Sequence, residues 1–205
     1  MATNYPTIQN PVMIDKIIAE LQQGLTDNIS WLDVCFGRAQ RLTKIVKGRT
    51  YTTPNVYCGG WNGHGENDYI EVSPDDKIGN FAFFVTDDPQ TIEGGGVAWA
   101  RTLSSPFALI VWFDLRHVFS QPSNRNTELL KAQVLRLLAG RMGWHLTEGR
   151  IEVTRIYDQS QNIYKGFTLT ETENQFLMHP YGGFRIEGTL YYDEPCTLPS
   201  SLVGE

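Results

Sequence analysis

Phe107-Ala-Leu-Ile-Val-Trp-Phe113 is the longest uninterrupted apolar run in the chain, and Asn126-Thr-Glu-Leu-Leu-Lys-Ala-Gln-Val-Leu-Arg-Leu-Leu138 follows it closely. The first segment has too little room for a helix before Asp114 and is rich in β-branched and aromatic residues, so it reads as a strand buried on both faces. The second reads as a helix over about 126–139. Asn126 can cap it, and Leu130, Val134, Leu137 and Leu138 recur at three- and four-residue spacing along one side. Glu128 suits its positive end and Arg136 and Arg141 its negative end, while Gly140 or Gly143 can stop it. A helix laid across a sheet that contains 107–113 is therefore the expected core.

Working outward, Asn10-Pro11 predicts the start of a first helix over 11–24. Ile14, Ile17, Ile18, Leu21 and Leu25 form its apolar stripe, Asp15, Lys16, Glu20 and Gln22 face elsewhere, and Gly24 frays its end. Residues 1–9 and 197–205 read as tails. Strands are expected at 31–36, at 51–57 with Pro54 at an edge or bulge, at 69–72, 80–85 and 97–103, and at 151–157. Segment 163–169 is a weaker strand candidate after a connection or short helical turn at 158–162, and the acidic-polar segment 170–175 reads as solvated. Ser104-Ser-Pro106 is expected to separate 97–103 from the buried run. Segment 184–192 alternates, with Phe184, Ile186, Leu190 and Tyr192 on one face and Arg185, Glu187, Thr189 and Tyr191 on the other, as in a half-buried antiparallel strand. Segment 38–49 is basic and weakly patterned, and reads as a loop or short amphipathic turn. Gly59-Gly-Trp-Asn-Gly-His-Gly65 must be a loop, and 86–96, with Gly94, Gly95 and Gly96, a projecting loop or arm. Connections among the middle strands are too short for helical crossovers. The fold class is therefore α+β, a mainly antiparallel sheet with an N-terminal and a central helix packed on it. A single domain of 205 residues is expected, with a projecting strand and loop region over about 50–103.

Composition narrows the function. With 41% hydrophobic and 12% aromatic residues the chain is too apolar for disorder. It has no run of eighteen apolar residues and no signal-like n- and h-region, so no membrane association is expected. The formal charge of −6 argues against a general nucleic-acid binder held by phosphate neutralisation. Cys35, Cys58 and Cys196 are too few and dispersed for a disulfide framework.

Chemistry-bearing patterns are sparse. None of His64, His117, His145 and His179 has another histidine or a cysteine at ligand spacing, so no metal is expected, although His64 in its glycine loop is the best ligand or base candidate. Neither glycine cluster makes a phosphate loop or a dinucleotide fingerprint, and no cofactor is expected. The serines lack a nucleophile elbow, and the carboxylate pairs Asp75-Asp76 and Asp87-Asp88 fall on solvated turns. The expectation is a non-enzyme with no catalytic residues. What remains is a set of interface candidates: Arg38, Arg41, Lys44 and Lys47 in the basic segment, Trp61 as a loop anchor, and Gly94, Gly95 and Gly96 as arm glycines. Trp112 belongs to the core.

The order of elements, together with Arg125-Asn-Thr-Glu-Leu-Leu-Lys131 and Pro180-Tyr-Gly-Gly-Phe-Arg-Ile-Glu-Gly188, resembles the tail terminator and tail completion proteins of tailed bacteriophages. The resemblance covers roughly 11–192. It implies a structural virion protein of the neck or tail, made in the host cytoplasm. It also implies a homo-oligomeric ring, commonly a hexamer, that joins the tail tube to the head or neck and lets DNA pass through its lumen without specific binding. The family is structural, so no catalytic residues carry over. A non-catalytic binding or assembly module is the alternative, with a small hydrolase behind it.

Overall fold

The computed structural model describes residues 6–75, 77–86, 89–92, 100–140, 146–147 and 149–195. The first part of the chain forms α1 (Ile14–Asn28), β1 (Val34–Arg38), β2 (Gln40–Val46), β3 (Arg49–Tyr57), β4 (Tyr69–Glu71), β5 (Phe81–Thr86) and β6 (Thr91–Ile92). The second part forms β7 (Ala100–Asp114), α2 (Leu115–Val118), α3 (Thr127–Leu138), β8 (Gly149–Tyr157), α4 (Ser160–Ile163), α5 (Glu171–Gln175) and β9 (Tyr181–Pro195). The fold is α+β. Its main sheet has the order β1-β5-β7-β9-β8, with β6 also on β7, and its smaller sheet has the order β2-β3-β4.

The apolar run lies in β7, between β5 and β9, and alternation divides it between two cores. Phe107, Leu109, Val111 and Phe113 pack with the stripe of α1 and with Leu130, Val134, Leu137 and Leu138 of α3. Ala108, Ile110 and Trp112 face the opposite way, against Val56, Val72, Ile163, Tyr164 and Leu177. On this second side the Trp112 ring stacks on Phe81 and Tyr181, at 5.5 and 5.6 Å, and its indole N–H donates to the Phe176 carbonyl at 2.6 Å. The sheet is thus the middle of three layers. β9 meets the same first core through Phe184, Ile186, Leu190 and Tyr192, the face that its alternation predicts. Asn126 caps α3 by accepting from the amides of Glu128 and Leu129, and Gly140, at φ 68°, ends it.

Several expectations need correction. The 97–103 and 107–113 segments do not break at Pro106, since 100–114 is one strand paired with β9 throughout. The Asp114 amide donates to the Asn80 side chain on the β5 side at 2.8 Å, so even-numbered residues of β7 turn their amides that way. Pro106 therefore aims its missing N–H at the gap between β5, whose pairing ends at Phe107, and β6, whose pairing starts at Ser104. Second, α1 begins at Ile14 and runs past Gly24 to Asn28, and Pro11 precedes it. Third, Gln22 is buried within α1, where its amide donates to the carbonyls of Pro6 and Cys35 at 2.6 and 2.8 Å. This ties Pro6, within the 1–9 segment expected to be tail, to the edge of the sheet. Fourth, β5 falls inside the 50–103 span expected to project, yet its residues 81–85 are all buried; it pairs in parallel with β1, and the small sheet forms the crossover between them. Fifth, 163–169 is not a strand, and Arg185 on the supposedly open face of β9 is buried, bonded to Glu187 at 2.7 Å and to the Lys165 carbonyl at 3.2 Å.

Close approach explains one glycine of β9. A Cβ on Gly188 would run into the Glu152 carbonyl, next to the register shift at 153–155 of β8, while the Phe107 ring covers the same spot. Ile110 is fully buried in the second core. Ile110→Asp should therefore cost more than about 4 kcal/mol, because an unpaired charge would be forced among apolar neighbours. A thermal melt followed by circular dichroism checks this, and a variant that melts like the parent contradicts the core assignment.

Candidate assembly surface

The basic segment is a β-hairpin, not a loop. Lys47 and Gly48 form its two-residue turn, with φ of 50° and 76°, the left-handed pair whose twist matches two antiparallel strands. β2 and β3 pair from Gln40↔Asn55 to Val46↔Arg49. All seven residues of β2 are exposed. That removes the burial alternation by which a strand is usually read, and explains why the sequence pattern is weak.

The root of the hairpin is fastened and its tip is free. Val56 is buried in the second core, and Ile70 of β4 packs against it. Pro54 lies in β3, the middle strand of the small sheet, not at a sheet edge. It turns its missing N–H away from β2, beyond the last β4 pair at Asn55↔Glu71, and its carbonyl accepts from the Val72 amide at 3.0 Å. Farther out, the Thr52 amide donates to the Thr168 hydroxyl at 3.3 Å, and the Thr52 carbonyl accepts from the Thr168 amide at 2.8 Å. Since Thr52 turns its backbone away from β2, the opposite residue Thr43 must turn its own N–H and C=O to the outer edge. Ile45, two residues on, does the same. No strand pairs with that edge among the described residues.

This edge also carries exposed apolar side chains. Ile45 is 75% exposed, the most of any large apolar residue described, and Leu42 and Val46 are exposed beside it. The cations have distinct settings. Arg38 ends β1 and pairs with Asp15 on α1 at 3.0 Å, so it belongs to the body. The Arg41 guanidinium lies 5.7 Å over the Phe167 ring and helps hold the root. Lys44 reaches Glu71 at 2.8 Å, and its pKa is raised chiefly by that hydrogen bond. Lys47 and Arg49 stand exposed at the tip without an acidic partner among the described residues. The structure thus gathers Arg41, Lys44 and Lys47 on one arm and leaves Arg38 off it. Arg49, the fifth cation of the basic segment, is on the same arm, and so are the apolar residues Leu42, Ile45 and Val46, which the sequence pattern does not mark.

Trp61 is not on the arm. Its ring is partly buried edge-on against Phe36, 5.4 Å between centroids, and pins the glycine loop to β1. Gly94, Gly95 and Gly96 lie outside the described residues, as do His145 and Cys196. His64, His117 and His179 are exposed, and no group of three or more potential metal ligands occurs among the described residues. No described helix is long and apolar enough to cross a membrane. Cys35 and Cys58 are buried, and burial pushes both thiols up.

One polar cluster elsewhere could suggest chemistry, but its groups satisfy each other. Both oxygens of the buried Asp114 carboxylate accept from the Arg116 guanidinium, at 2.7 to 3.0 Å, and one caps the Arg116 amide. The same guanidinium lies over the Tyr181 ring at 4.9 Å and donates to its hydroxyl at 2.9 Å. This clamp joins the end of β7 to the start of β9. Burial alone would raise the Asp114 pKa, but the Arg116 bonds outweigh it and hold the carboxyl below its ordinary value. A depressed folded pKa stabilises the native state above the unfolded value, and that stabilisation disappears as pH falls through the folded pKa. Arg116→Ala should accordingly melt earlier than the parent at neutral pH, with the gap closing below the ordinary carboxylate value of 3.8. Melting curves across pH 2–7 check it, and a gap independent of pH would assign the loss to packing on Tyr181 instead.

Set against known proteins, the chain matches no family model and no curated sequence.

Proposed function

We propose that the chain is a structural subunit of a bacteriophage neck or tail, a ring-forming tail terminator that joins the tail tube to the head or neck. The observation that supports this reading most is the hairpin arm: an exposed edge strand with apolar side chains, fastened at its root and free at its tip. An exposed apolar edge strand invites pairing and aggregation unless a partner covers it. In a closed ring each arm is covered by a neighbour, so that one heterologous contact repeated about an axis leaves no edge open. The work of such a protein is geometric. Rigidity comes from the three packed layers, reach comes from the arm, and no bond is made or broken. An overall acidic ring lets DNA through without gripping its phosphates.

The test is to mix the purified chain with assembled tail tubes, or to examine native particles, by electron microscopy. Rings seated at the tube end or neck, six-membered by the resemblance, are the expected result. Monomers scattered along the tube, or no binding, would overturn the assignment.

A further inference from the structure

The charges of this chain are segregated along its sequence and in its fold. From Arg38 to Gly65 there are five lysines and arginines and no carboxylate, which leaves twelve cations against twenty-three carboxylates elsewhere: a formal +5 beside a formal −11. Four of those five cations are on the hairpin, and the tip pair Lys47 and Arg49 meets no carboxylate of its own subunit among the described residues.

We infer that the arm docks on the acidic body of a second copy of this chain, head to tail, through its open β2 edge, Ile45 and the Lys47–Arg49 pair. This rests on the structural-subunit reading above and names the partner of its arm. Two arrangements could cover the edge with a second copy. In a two-fold arm-on-arm pairing, Arg41, Lys44, Lys47 and Arg49 of both copies would come together, and like charges across paired strands repel. In an arm-on-body contact the basic tip meets net negative charge, so attraction steers the encounter and the apolar residues then bury. Repeated head to tail about an axis, such an arm-on-body contact is heterologous and closes into a ring; exchanged reciprocally between two copies, it would stop at a dimer.

The two arrangements respond oppositely to the same changes. Neutralising the tip with Lys47→Asn and Arg49→Gln, asparagine being tolerant of the left-handed turn position, removes attraction in one case and repulsion in the other. Sedimentation of the full chain at low salt is expected to show self-association that weakens about tenfold in the double variant, by analogy with the loss of two ion pairs, and that weakens in the parent as salt rises. Ile45→Ser should weaken it as well, while thermal melts of both variants stay at the parent value because these side chains are exposed. Association strengthened by neutralisation or by salt would overturn the proposal in favour of arm-on-arm pairing. A parent that stays monomeric at low salt, or variants that associate like the parent, would overturn it outright. Rings on tube ends that persist in the double variant would overturn the arm contact and leave the terminator reading intact. Arm-dependent oligomers that ignore the tube would do the reverse.

Discussion

Burial of β7 on both faces is the constraint on which the rest of the fold depends. A strand that alternates Phe107, Leu109, Val111 and Phe113 with Ala108, Ile110 and Trp112 has no face to give to water, so the chain must supply a cover for each side. Helices α1 and α3 form one. The other is a composite of the hairpin root, the 158–180 segment and the Trp112 aromatic stack. Because the small sheet is the crossover between the parallel neighbours β1 and β5, covering the second face and projecting the arm are done by one excursion of the chain.

That economy links stability to reach. Val56 sits in the second core while Ile45, on the same hairpin, is among the most exposed apolar side chains. One backbone bond and one to the Thr168 hydroxyl link Thr52 to Thr168 about midway along the arm, and the Arg41 guanidinium over Phe167 holds it nearer the root. An arm held in this way presents its edge with little of the ordering cost that a loose loop would incur on binding. A preformed edge suits a subunit that must meet a neighbour in one orientation.

Where a residue's role followed from burial, the sequence was legible. The α3 stripe, its Asn126 cap, the β9 face of Phe184, Ile186, Leu190 and Tyr192, and the core placement of Trp112 all follow from periodicity and side-chain chemistry. Where burial gives no pattern, reading failed. β2 alternates nothing because it buries nothing, and its turn is Lys47-Gly48, without the asparagine or aspartate that marks such turns most strongly. Pro106 looked like a break because tolerance of a missing N–H depends on which neighbouring strand stops beside it, a fact of tertiary structure. Gln22 looked like a surface residue because nothing local says that two carbonyls, on Pro6 and Cys35, need its amide. For the candidate surface, the basic residues were visible as a set, but only the fold separates Arg38, paired on the body, from the free tip.

The central claim is that the β2 edge is built to be covered by assembly, and residue-resolved amide hydrogen exchange tests it most directly. In the free subunit the amides of β7 and β9 should exchange last, and those of Thr43 and Ile45, which face the outer edge, should exchange early. In the assembled state Thr43 and Ile45 should slow markedly while the pattern in β7 stays unchanged. Thr43 and Ile45 amides that remain as fast after assembly as before would contradict the account.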